Sequence, residues 1–115
     1  MQNLEALYVV EFGDVLGGVY RNGGVVVLET NRIFGGDSGY YYLGSFTPNG
    51  SSISAELRVV RHNLNIPSVW GDNAQEFSIR LEGVRHGGVI EGRMVRADRP
   101  GIQLPVRLTR KADLP

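Results

Sequence analysis

Apolar and polar residues alternate with a period of two along most of this chain. In "SISAELRVV", Ile53, Ala55, Leu57 and Val59 take one side while Ser54, Glu56 and Arg58 take the other, the pattern of a half-buried strand. "EFSIRLEGV" repeats it, with Phe77, Ile79 and Leu81 set against Ser78, Arg80 and Glu82. "VIEGRMV" puts Ile90, Gly92 and Met94 on one face, and "IQLPVRLTR" does so with Ile102, Leu104, Val106 and Leu108. Pro105 points outward in that last segment and donates no hydrogen bond, which predicts a place near an edge or a bulge. No segment carries a helical stripe.

Turn signals fall between the runs. "ETNR" (Glu29 to Arg32), "TPNGS" (Thr47 to Ser51), "RHGG" (Arg85 to Gly88) and "ADRPG" (Ala97 to Gly101) read as hairpin connections. For the first hairpin, "GDVLGG" and "RNGG" each suit the tip. One longer loop, "IPSVWGDNA" (Ile66 to Ala74), divides the chain. About eight short strands in up-and-down order result. A sheet of that size in 115 residues has to curl and close, because open edges invite aggregation. The expected fold is all-β: a single small antiparallel up-and-down barrel, lipocalin-like, over residues 1–115 with a tail fraying from about 111. Eight strands leave an interior that side chains fill or that holds one small ligand.

Composition sharpens this picture in three ways. Sixteen glycines suit many tight turns. The absence of cysteine excludes disulfides and thiolate metal sites. Net charge is zero, yet residues 1–79 carry four basic and eight acidic groups, and residues 80–115 carry eight basic and four acidic. That bias is too weak for a nucleic-acid binder and predicts opposite charges meeting across neighbouring strands. The start, "MQNLEALYVVEFG", lacks a basic n-region, and no apolar run is long enough to span a bilayer. The expectation is a cytoplasmic protein with no membrane contact.

One stretch raises a catalytic question. "GGDSGYYYLG" contains Gly36-Asp37-Ser38-Gly39, the letters that surround the nucleophile in chymotrypsin-like serine proteases. Those enzymes need two barrels and a histidine before the serine, whereas His62 and His86 both follow Ser38. Tyr40 replaces the glycine that would form the oxyanion hole, and it also breaks G-x-S-x-G. Phosphate-binding loops are absent, and the two histidines lack metal-ligand spacing. The reading is of a non-enzymatic chain with no catalytic residue, metal or cofactor.

The tyrosines carry more. In a strand Tyr40 and Tyr42 share one face and Tyr41 takes the other. Phe46 continues the first face, with Gly44 leaving space. Two readings stay open: a packed interior with hydroxyls at its mouth, or a pocket for a small apolar ligand lined by Tyr40, Tyr42 and Arg61 with Trp70 as a lid. In "ALYVVEF", Leu7 and Val9 alternate with Tyr8, Val10 and Phe12, so both faces are apolar. The outer one suggests a subunit contact through Leu7, Val9 and Tyr41.

The ordered set Gly35-Gly36-Asp37, Tyr42, Gly44, Arg61, Asn63 and Ile66-Pro67-Ser68-Val69 resembles the GrlR-like proteins, negative regulators of type III secretion genes. These residues cover roughly the middle third of the chain. The resemblance implies a lipocalin-like barrel, a homodimer, and action by binding a partner protein such as a helix-turn-helix transcriptional activator. In the family's founding member an exposed acidic run near the turn between the fourth and fifth strands makes that capture. The corresponding stretch here, "SFTPNGSSIS", holds no acidic residue.

Overall fold

In the computed structural model, which describes residues 4–15, 17 and 22–115, eight strands account for most of the chain. They are β1 (Ala6–Phe12), β2 (Asn22–Glu29), β3 (Arg32–Gly36), β4 (Tyr40–Asn49), β5 (Ser52–Arg61), β6 (Glu76–His86), β7 (Val89–Arg96) and β8 (Arg99–Ala112). Each pairs antiparallel with the next, and β8 pairs with β1, so the sheet closes on itself without an edge. This is the up-and-down, lipocalin-like barrel that the alternation predicts. Among the described residues no helix is long and apolar enough to cross a membrane.

The period of two holds strand by strand. Ala6, Tyr8, Val10 and Phe12 of β1 are buried inward, as are Ile53, Ala55, Leu57 and Val59 of β5 and Phe77, Ile79 and Leu81 of β6. Curling so few strands tightly requires inner positions with no side chain. At Gly44 a Cβ would stand 2.0 Å from the Glu56 carbonyl oxygen, and at Gly92 1.8 Å from that of Glu82. Glycine is what lets the strands approach and bend at these places.

The connections refine the predicted turns. Thr30 and Asn31 both take positive φ, 51° and 65°, the two-residue mirror-image turn that matches strand twist. Asn22, Gly23 and Gly24 pair with Phe12, Glu11 and Val10, so "RNGG" is not the hairpin tip. The other candidate tip, "GDVLGG", lies partly outside the described residues. Arg99, Pro100 and Gly101 already belong to β8, which shortens "ADRPG" to a turn at Ala97–Asp98. At the far end β8 runs on to Ala112, paired with Leu7 beyond a bulge in the β1–β8 ladder, past the expected start of fraying. Pro105 pairs with Arg93 on one side. On its other side the ladder to β1 stops at Val106, so its missing donor breaks no ladder there.

The uneven charges do meet across strands: Arg107 of β8 reaches Glu11 of β1 at 3.1 Å and Arg58 of β5 reaches Glu76 of β6 at 3.5 Å. The first of these joins the acidic start of the chain to its basic end.

The interior has two parts. At the end bearing the Thr30–Asn31 turn, Ala6, Tyr8, Leu28, Phe46, Ile53 and Ile90 pack into a floor. Tyr8 is only 2% exposed, and its hydroxyl donates to the Leu4 carbonyl at 2.8 Å. Burial pushes that phenol's pKa up, against the lowering influence of Arg85 and Arg110. Towards the opposite end the side chains stop short of one another and enclose a cavity.

Candidate functional site: an apolar cavity and its cover

The cavity has a volume of about 330 Å³, at the small end of the range for ligand pockets. Its walls come from inward positions of the strands, among them Val10, Val26, Ile33, Leu57, Phe77 and Met94. Ile66 to Trp70, from the segment joining β5 to β6, cover its mouth. Tyr40, Tyr42 and Trp70 line it, as the ligand-pocket reading expects. The other reading, a packed interior, describes only the floor, where Phe46 sits.

Arg61 is the exception, because it does not line the cavity. Its Nη2 donates to the carbonyls of Leu64 at 3.0 Å and Ile66 at 2.8 Å, and its guanidinium stands 6.0 Å from the Tyr40 ring centre. It shapes the covering segment from behind. A strand-end arginine beside a long connection has carbonyls within reach, and satisfying them outweighs pointing into an apolar hollow.

The stretch "GGDSG" closes the β3–β4 hairpin. The Asp37 amide donates to the Tyr40 carbonyl at 2.8 Å, and Asp37 Oδ1 accepts from the amides of Gly39 and Tyr40, both at 2.8 Å. Its Oδ2 accepts a hydrogen bond from the Tyr42 hydroxyl. Burial first, and then the adjacent Asp37 carboxylate, raise the Tyr42 pKa far above the ordinary phenol value. Tyr42 therefore remains a neutral donor to a carboxylate on the cavity wall.

Residues after β5 clasp this hairpin. The amides of His62 and Asn63 donate to the Gly39 carbonyl at 2.9 and 3.3 Å, and Asn63 Nδ2 donates to the Ser38 carbonyl at 3.3 Å. Gly39 itself lies so near Ile66 that a Cβ would stand 2.7 Å from its Cγ2. The motif residues Asp37, Arg61, Asn63 and Ile66 thus meet at one end of the barrel. Pro67, Ser68 and Val69 continue the cover, with Ser68 Oγ accepting the Trp70 amide at 3.1 Å. Gly35 and Gly36 belong to β3, where a Cβ on Gly35 would stand 2.0 Å from the Val25 carbonyl oxygen.

Ser38 is exposed at the mouth, and among the described residues neither His62 nor Asp72 is hydrogen-bonded to it. His62 Nε2 contacts the Asp37 carbonyl at 3.0 Å and its ring stacks on Tyr41, while Asp72 is engaged by Arg96 and Arg99.

A second fastening was not predicted. Arg96 is 3% exposed and sits against the cover. Its Nε and Nη2 donate to the two carboxylate oxygens of Asp98 at 2.6 and 2.8 Å. Nη1 forms an ion pair with Asp72 Oδ2 at 2.8 Å. The Asp98 bonds push the Arg96 pKa up, and the same pairing holds Asp98 below the usual carboxylate range. One signal was available: Arg96 continues the inward face of Ile90, Gly92 and Met94, where a charge demands a partner.

The outer wall carries a further feature. Leu7, Val27, Phe34 and Leu43 lie side by side across β1 to β4, and Val9, Val25, Gly36 and Tyr41 form the adjoining row. Val25 is 47% exposed, Leu43 49% and Tyr41 37%. The neighbouring rows hold the ion pairs Glu29–Arg32 and Glu11–Arg107. All three predicted contact residues, Leu7, Val9 and Tyr41, belong to this island. Val25, Val27, Phe34 and Leu43 were missed, although the unbroken "VVVL" marks a strand apolar on both sides. Compared with known proteins, the chain matches no family model and no curated sequence.

Proposed function

We propose that the protein is a non-enzymatic regulatory barrel of the cytoplasm, resembling GrlR, that pairs with a second copy and acts by binding a partner protein such as a transcriptional activator. The apolar island across β1 to β4 carries this reading. Two adjoining apolar rows bordered by ion pairs have the character of a protein-contact surface rather than of scattered exposed residues. The β4–β5 turn has no acidic residue, so partner capture on this chain uses another surface, and the outer wall is the candidate. Capture from the native cell with wild-type and Val25→Glu baits tests it. A specific protein recovered by the wild type and lost with the variant supports the reading, while recovery of no protein but the bait counts against it.

A second reading, a small-ligand carrier or sensor, is favoured by the cavity. An apolar hollow of about 330 Å³ under an indole cover is suited to an apolar molecule. The two readings combine if an occupant, by displacing the cover, shifts the balance between binding-competent states.

A further inference from the structure

The cavity wall is chemically one-sided. Among the described residues lining it, Asp37 is the only acidic or basic side chain; no lysine, arginine or histidine is among them. The hydrogen-bond inventory narrows the matter further. Oδ1 of Asp37 already accepts two backbone amides, at 2.8 Å each, and Oδ2 accepts the Tyr42 hydroxyl. A carboxylate oxygen has about two acceptor sites, so Oδ2 retains one, and the phenolic oxygen of Tyr42 retains acceptor capacity. Both deep phenolic donors are committed, Tyr42 to Asp37 and Tyr40 to the Ala74 carbonyl at 3.4 Å. Around Asp37 and Tyr42 the polar patch therefore offers a visitor acceptors and a carboxylate, while the other side-chain donors among the described lining residues, the Ser38 and Ser68 hydroxyls and the Trp70 indole N–H, sit at the mouth and in the cover. An anion entering it would lose water and meet a like charge, a costly exchange in a low-dielectric site.

We propose that the cavity selects a compact apolar molecule bearing a terminal hydrogen-bond donor, a primary ammonium before an alcohol, seated on the Asp37–Tyr42 pair, and that it rejects the matching carboxylate. This rests on the reading of the cavity as a ligand site. It separates this barrel from a fatty-acid carrier, which would need a cationic or donating group where Asp37 stands. Charge-assisted hydrogen bonds are the stronger kind, which places the ammonium first.

Three probes with one apolar body test it: 4-butylbenzylamine, 4-butylbenzyl alcohol and 4-butylbenzoate, titrated against the full chain at neutral pH by calorimetry and by Trp70 fluorescence. The expected order is amine, alcohol, benzoate, with the amine at least about tenfold tighter than the benzoate, since a bond to a charged group is worth about 1.5–3 kcal/mol. In Asp37→Asn, whose amide oxygen can still accept the Gly39 and Tyr40 amides, the amine loses its lead over the alcohol. Tyr42→Phe, which keeps the carboxylate, retains the lead, and it serves as the second variant should Asp37→Asn fail to fold by circular dichroism. Benzoate binding as tightly as the amine, or an amine lead that survives Asp37→Asn, overturns the proposal while leaving the cavity as a ligand site. Failure of all three probes to bind overturns the ligand-site reading as well.

Discussion

Arg96 lays its guanidinium 4.6 Å from the centre of the Phe77 ring, so a buried cation caps one wall of the cavity. The same side chain ties Asp72 of the cover to Asp98 of the β7–β8 turn. Trp70 packs edge-on to Phe77 at 6.3 Å, and Arg99 donates to its carbonyl at 3.4 Å. Cation, ring and indole form one fastening that holds the cover down.

Arg96→Met keeps the apolar stem and removes the charge. The variant leaves Asp72 to Arg99 alone and Asp98, whose side chain is 62% exposed, to water, and it gives up the contact with the Phe77 ring, so thermal unfolding should register a loss of stability. Trp70 is the sole tryptophan and is 3% exposed, so its emission reports on the cover alone. The expected outcome is a red shift and stronger acrylamide quenching in the variant, with the barrel's far-ultraviolet circular dichroism unchanged.

The Asp98–Arg96 pair gives a pH dependence of defined sign. The folded Asp98 pKa lies below its unfolded value, so its stabilising effect is complete above about pH 4, the ordinary carboxylate pKa. It fades as pH falls through the lower, folded value. Asp98→Asn should therefore be less stable than wild type at pH 6, and the gap should close as the solution is acidified below pH 4. Denaturant midpoints at matched pH measure it.

Tyr42 gives the opposite sign. Its folded pKa lies above the unfolded value of about 10, so its contribution is intact below pH 10 and declines as pH rises further. Tyr42, raised far above that value, should stay protonated through the ordinary phenol ionisation step near pH 10 seen at 295 nm. Tyr42→Phe should leave that step's amplitude unchanged, yet cost about 1–3 kcal/mol in stability through the lost bond to a charged acceptor.

Gly44→Ala tests the curl of the barrel. With only 2.0 Å between the new Cβ and the Glu56 carbonyl oxygen, β4 and β5 must part. A loss of about 1–3 kcal/mol, the usual cost of overpacking, is expected in thermal unfolding. Ala97→Gly, at an exposed turn position, should cost much less.

The barrel was legible because alternation reports directly which face of a strand is buried, and every inward set from Ile53 to Leu108 followed it. The inward face shared by Tyr40 and Tyr42 was legible for the same reason, though alternation left open whether that interior is packed or hollow; Trp70 was legible as a cover from its place on the long loop. Arg61 was not, since its place depends on the path of the covering segment and on which carbonyls that path leaves in reach. Asp37 stood out only within the "GGDSG" stretch and the motif set, and it is a turn residue; its second task at the cavity wall depends on Tyr42 lying opposite Gly35 in register, which local pattern does not encode. The outer island escaped partly because its rows run across four strands, Leu7 beside Val27, Val27 beside Phe34 and Phe34 beside Leu43, and the registers that align them are not written in any one strand's alternation.

The central claim is that this chain works through its outer wall, and sedimentation equilibrium tests it most directly. The wild type should sediment at twice the 12.6 kDa chain mass, while Leu43→Glu, placing a charge in the middle of the island, should sediment as a folded single chain. A wild type that remains a single 12.6 kDa chain at every concentration would contradict the account.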